Sequence, residues 1–182
     1  MAKWSGVELV PGVQFPEIAL PEYEPVRAEP WPGRVPEVGT LSLPDAVALG
    51  DVLARHTTTP SRCWFGVWEG WGSSTHAPGP RVHLPWRDYV LFVGPLAALP
   101  ALVDSQHGGT PNLWWPDDRV WCVGTEIDLP WTYIGGSAAL ITDLLADPRI
   151  ETQPADPDDN HHQRAPEWLV PAIAQATRIS RR

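Results

Sequence analysis

Cysteine and lysine are almost missing from this chain, and it has no long apolar run. Cys63 and Cys122 are the only two cysteines among 182 residues. Two are too few for a disulfide framework, so both are expected as buried thiols in a reducing cytoplasm. The alternative is a single Cys63–Cys122 bridge in a secreted protein. Lys3 is the one lysine, and Asp plus Glu outnumber Lys plus Arg by 22 to 13, for a formal charge of −9. Binding to a phosphate backbone needs clustered Lys and Arg, so a nucleic-acid partner is excluded. No stretch approaches the roughly 18 apolar residues that cross a bilayer. Glu8, Pro11, Gln14, Pro16 and Glu17 break up the apolar core that a secretory leader requires. These absences point to a cytoplasmic protein without a membrane partner.

Proline, glycine and tryptophan are what the chain has in quantity. The 22 prolines and 15 glycines are about a fifth of it, below the roughly 25–30% typical of low-complexity disorder. With 43% hydrophobic residues and 11 tryptophans, a folded core is expected. Residues 1–41 carry Pro11, Pro16, Pro21, Pro25, Pro30, Pro32 and Pro36 and read as an extended arm docked on the domain. Val7, Leu9, Val13, Phe15, Ile18 and Leu20 give that arm something to bury, and an edge strand fits within 6–15.

From residue 42 to 182 the pattern is that of a domain. Leu43, Val47, Leu49 and Leu53 recur at helical spacing, with Ser42 as cap and Pro44 in the first turn, so a helix is expected over 44–56. Strands are expected over 63–72, 88–93 and 119–128, with a helical turn over 95–103. Ser137 caps a helix over 138–146 that Asp147-Pro148 ends. A last short strand over 149–153 and a C-terminal helix over 166–177 complete the reading. The fold class is α+β: a single domain with a mostly antiparallel sheet of four to five strands, two to three helices and a Pro-rich N-terminal arm.

The runs TPSRCWFGVWEG, RDYVLFVGPL, PNLWWPDDRVWCVGTEID, TYIGGS and LITDLLADPRIE, spanning roughly 44–153, resemble a Trp-rich family of uncharacterised proteins from high-GC bacteria. That family has no established activity, so the resemblance implies no catalytic residue. A more distant likeness is to α+β domains of the immunity-protein type, acidic cytosolic proteins that block toxins. It rests on size, charge and the order of elements.

The densest polar constellation is Asp117, Asp118, Arg119, Glu126, Asp128, Thr132, Tyr133 and Ser137, flanked by Trp114, Trp115 and Trp131. Carboxylates beside aromatic rings suit a binding surface, including one for sugars, and paired carboxylates suit glycosidic acid–base chemistry. The structural alternative has Asp117-Asp118 turning the chain after Pro116, Arg119 paired with an acid and the tryptophans in the core. Gly135-Gly136-Ser137-Ala138-Ala139 approaches the nucleophile-elbow pattern, with Asp143 and His161 or His162 in the order of a hydrolase triad. Alternating parallel βα units are missing, so Ser137 reads as a helix cap. Asp156, Asp158, Asn160 and Glu167 match the acidic positions of a calcium loop, but His161 stands where glycine is needed. His76, His83 and His107 lack zinc-ligand spacing, Cys63 and Cys122 are not in C-x-x-C, and no cofactor fingerprint occurs.

Eleven indoles, each with an N–H to satisfy, are too many to bury completely. Trp64, Trp68 and Trp71, with Trp114 and Trp115, are the candidates for a cleft or interface. The expected function is a non-catalytic binding protein, immunity- or antitoxin-like, that engages a protein partner through an acidic, Trp-lined surface. Its expected binding residues are Trp114, Trp115, Asp117, Asp118, Arg119, Glu126, Asp128 and Tyr133, with no metal and no cofactor. The alternative is a small carbohydrate-binding or hydrolytic domain using the same carboxylates. A third reading is a homo-oligomer that exchanges the N-terminal arm.

Overall fold

The structure is a computed structural model that describes residues 37–71, 78–103, 109–129 and 131–155. Helix α1 (Leu43–Ala54) leads into strand β1 (Cys63–Trp68) and a 3-10 turn at Glu69–Trp71. Strands β2 (Arg81–Leu84) and β3 (Arg87–Gly94) form a hairpin, followed by a 3-10 segment at Leu96–Leu102. Strands β4 (Leu113–Pro116), β5 (Cys122–Thr125) and β6 (Thr132–Gly135) precede helix α2 (Ala138–Ala146). The strands form one six-stranded sheet in the order β2-β3-β1-β4-β5-β6, and every pairing is antiparallel.

Both α-helices begin where side-chain chemistry dictates. The Ser42 hydroxyl accepts the Asp45 N–H, and Pro44 occupies the first turn, where no donor is lost. The Ser137 hydroxyl accepts the Leu140 N–H at 3.2 Å. Gly136 sits against that turn, and a β-carbon there would lie 2.5 Å from Leu140 Cδ2. Side chains alternate across the sheet, so one face carries Cys63, Phe65, Trp114 and Val123 against the helices. Leu49, Val52 and Leu53 of α1, Leu96 and Leu99, and Leu140 and Leu144 of α2 complete this core. The Trp121 indole N–H donates to the Leu53 carbonyl at 3.2 Å, tying the β5 approach to α1.

Three expectations need correction. The sheet has six strands rather than four to five, because β2 and β4 are short and bounded by proline and loop residues. The strand expected over 119–128 is confined to Cys122–Thr125, with turns on either side. No strand forms over 149–153, where Ile150 donates back to the Asp147 carbonyl in a turn. Cys63 and Cys122 are free thiols, and the register directs them to opposite faces of the sheet. Burial raises both to a pKa of about 11, which keeps both thiols protonated at neutral pH. The arm over 1–36, the calcium-like run at 156–167 with His161 and His162, and the helix expected over 166–177 lie outside the described residues.

Candidate functional site

The face of the sheet turned away from the helices has an unusual composition. An antiparallel sheet covered on one side normally shows polar residues on the other. Here the register aligns Val93, Trp64 and Trp115 in one row across β3, β1 and β4. The next row holds Leu91, Gly66, Leu113, Gly124 and Tyr133. Gly66 is where two large neighbours meet, since a β-carbon there would lie 3.1 Å from Leu113 Cβ and 3.5 Å from Leu91 Cδ2. Tyr89 lies across from Trp68 and from Val82 in the third row.

The first row ends in an aromatic and charged cluster. The rings of Trp64 and Trp115 stack with centroids 6.4 Å apart and planes 10° from parallel. The Arg62 guanidinium lies 5.9 Å from the Trp64 ring centroid. Asp117 accepts the Trp64 indole N–H at 3.1 Å and meets Arg62 Nε at 3.3 Å, yet its side chain stays 43% exposed. The Trp64 hydrogen bond, with Arg62 and Arg119 beside it, holds the Asp117 carboxyl below the ordinary range. The cluster is therefore ionised at neutral pH and open to solvent. Val93 extends it on the far side of Trp64 and is 48% exposed.

The remaining expected residues are distributed elsewhere. Trp114, next in sequence to Trp115, points the opposite way: it is wholly buried, and its N–H donates to the Pro111 carbonyl at 2.6 Å. It belongs to the core and presents no surface to a partner. Asp118 turns toward the 57–59 loop, where Thr57 and Thr58 hydroxyls and the Thr58 N–H donate to it at 2.8–2.9 Å. Burial acts to raise its pKa, but these bonds prevail and lower it. Asp117, Asp118 and Arg119 do make the turn after Pro116, with the Arg119 N–H donating to the Pro116 carbonyl and Arg119 at a left-handed φ of +56°. Arg119 is exposed in that turn.

Glu126 and Asp128 form a second cluster about 13 Å of strand away, at the Trp68 end of β1. Arg87 Nη2 donates to Glu126 at 2.8 Å and to Asp128 at 2.6 Å, and its guanidinium sits 5.3 Å from the Trp68 ring centroid. Glu126 is only 2% exposed. Burial raises its pKa, and Arg87 works against that shift. This ion pair fastens the β2–β3 hairpin to the turn after β5, so Glu126 is a structural residue, whereas Asp128 is exposed. Tyr133 is half-buried in the second row, and burial raises its hydroxyl pKa. Ser137 is engaged as a cap, and Asp143 bonds His56 Nε2 at 2.8 Å between the two helices. No group of three His, Cys, Asp or Glu that could hold a metal occurs among the described residues. Among them, no helix is long and apolar enough to cross a membrane.

Two contributors escaped the sequence reading. Arg62 gains its role from the Trp64 ring beside it and from its ion pair with Asp117. Arg87, at the start of β3, carried no signal until the turn after β5 came beside it. Comparison with family models, curated proteins and solved structures finds no match to this chain.

Proposed function

We propose that this protein is a non-catalytic binding protein that engages a protein partner through the Trp64–Trp115 end of the outer sheet face. The observation that carries this reading is the stacked, half-exposed indole pair with Arg62 and Asp117 at its border and Val93 beside it. Paired aromatics with a charged rim match the anatomy of an interface anchor, in which a few Trp, Tyr and Arg side chains carry most of the binding energy. The formal charge of −9 favours a basic partner. Blocking of a cytoplasmic toxin, as an immunity protein or antitoxin does, is the concrete form of the proposal. A hydrolytic role is less well supported, because Asp117, Asp118, Glu126 and Asp128 each already accept hydrogen bonds from the protein itself.

The test is affinity capture from native lysate with the full chain and with Trp115→Ala, followed by purification of the captured protein and calorimetric titration. Loss of one anchoring indole should weaken binding by about 30-fold, equivalent to about 2 kcal/mol. Equal affinity of the folded variant and the parent would overturn the assignment of this surface.

A further inference from the structure

At the far end of the sheet from the Trp64–Trp115 pair, the turn between β2 and β3 holds an indole out in water. Trp86 is 85% exposed, more than any other large hydrophobic residue among those described. We propose that Trp86 is the anchor of a second docking point. It enters an apolar cleft of a basic protein, and Asp88 and Asp128 meet lysine or arginine side chains on the rim of that cleft. The proposal stands apart from the Trp64–Trp115 reading, since Arg87 lies about 20 Å along β3 from Val93, the partner of Trp64.

The turn itself is the first support. Leu84 pairs with Arg87, so Pro85 and Trp86 are its two central residues. Proline fixes a negative φ at the first position, and Trp86 takes a φ of +70° at the second, a place that glycine or asparagine fills with least strain. The fold offers the indole nothing that offsets this strain. Among the described residues its side chain makes no hydrogen bond and no ring contact. Backbone strain without an internal gain points to a role outside the chain.

The hairpin beneath the indole is clamped. His83 Nδ1 and Asp88 Oδ1 lie 2.6 Å apart across the two strands, and Arg87 Nη2 bonds Glu126 at 2.8 Å and Asp128 at 2.6 Å. The backbone that carries Trp86 is thus fixed before a partner arrives, which lowers the ordering cost of binding. Charge then selects the partner. Arg87 is nearly buried, whereas about half of each of the Asp88 and Asp128 side chains faces water, with His83 beside Asp88. An indole with an acidic border is repelled by an anionic lipid surface and complements an apolar cleft with a basic border. The formal charge of −9 likewise opposes docking to a second copy.

The probe is a random dodecapeptide library displayed on phage, selected on the full chain with Trp86→Asn as the counter-target. Asparagine tolerates the same φ, so the variant keeps the hairpin, and its melting curve checks this. The most enriched sequence is synthesised and titrated calorimetrically into both proteins and into Asp128→Asn, at low and high salt. The expected peptides place lysine or arginine beside apolar residues and lose affinity with salt. They should bind Trp86→Asn at least about tenfold more weakly and Asp128→Asn about threefold more weakly. Failure to select any peptide that distinguishes Trp86→Asn from the parent, or selection of peptides without basic residues, would overturn the proposal. So would Trp86-dependent binding to phosphatidylcholine–phosphatidylglycerol vesicles or a Trp86-dependent dimer in sedimentation, because the anchor would then serve a lipid surface or a second copy.

Discussion

Trp114 and Trp115 are adjacent in the sequence, identical in chemistry and opposite in role, which makes them a sharp test of the fold. Trp114 is wholly buried on the helix side and donates to the Pro111 carbonyl. Truncation to alanine removes an indole that buries about 150–250 Å². It also leaves a cavity and deprives a buried carbonyl of its donor. Losses of about 3–5 kcal/mol are usual for such a change, against a total stability of about 5–15 kcal/mol for a domain. Trp115 keeps part of its surface in water and loses chiefly its stack on Trp64. Aromatic pairs of this kind contribute about 0.5–1.5 kcal/mol beyond their area, so Trp115→Ala should cost about 1–2 kcal/mol. Urea denaturation measures both, and with a slope of about 2–3 kcal/mol per molar the midpoints of the two variants should differ by about 1 M. Equal losses, or a larger loss for Trp115→Ala, would refute the assignment of the two faces.

Further perturbations follow from individual contacts. Arg87→Met strands the buried Glu126 carboxylate and should destabilise by about 3–5 kcal/mol in a chemical melt, with Glu126→Gln in the same background recovering part of the loss. Trp86 sits at the tip of the β2–β3 hairpin, 85% exposed and at a left-handed φ of +70°. Trp86→Asn should therefore raise stability by about 1 kcal/mol, because asparagine tolerates that conformation. Asp147, drawn down to a pKa of about 2 chiefly by its hydrogen bond with Arg149, contributes stability that is complete above its unfolded value of 3.8 and is lost as pH falls through 2. Glu126 has the opposite sign: its raised pKa means its contribution weakens as pH climbs from 4.5 through the folded value. Urea midpoints between about pH 2 and 6 should show both trends, with Arg149→Ala flattening the first and Glu126→Gln the second.

The local elements were largely readable from the sequence because each has a local cause. Ser42 with Pro44, and Ser137 with Asp147-Pro148, bracket their helices with cap chemistry that does not depend on the rest of the fold. The apolar run from Tyr89 to Val93 marked an interior strand, and β3 lies between β2 and β1. What could not be read depends on pairing. Strands β2 and β4 are four residues each and take their identity from neighbours. The direction of Trp114 against Trp115 depends on the register with Phe65 and Trp64. Clustering of Asp117 and Glu126 in one site was an inference from proximity in the sequence. A turn and a strand separate them, and each finds its own arginine, Arg62 and Arg87. Asn112 was not foreseen either. Its buried amide accepts the Trp68 N–H and donates to Gly39, a role fixed only when three distant segments meet.

The central claim is that the Trp64–Trp115 surface is a protein-binding face. Its most direct test is calorimetric titration of the purified partner into the full chain and into Val93→Glu, a substitution at an exposed position beside the indole pair. The account predicts an unchanged melting curve and at least tenfold weaker binding for the variant, or about 1.4 kcal/mol. Undiminished binding by the folded variant, with the partner instead protecting the α1–α2 side of the molecule, would contradict it.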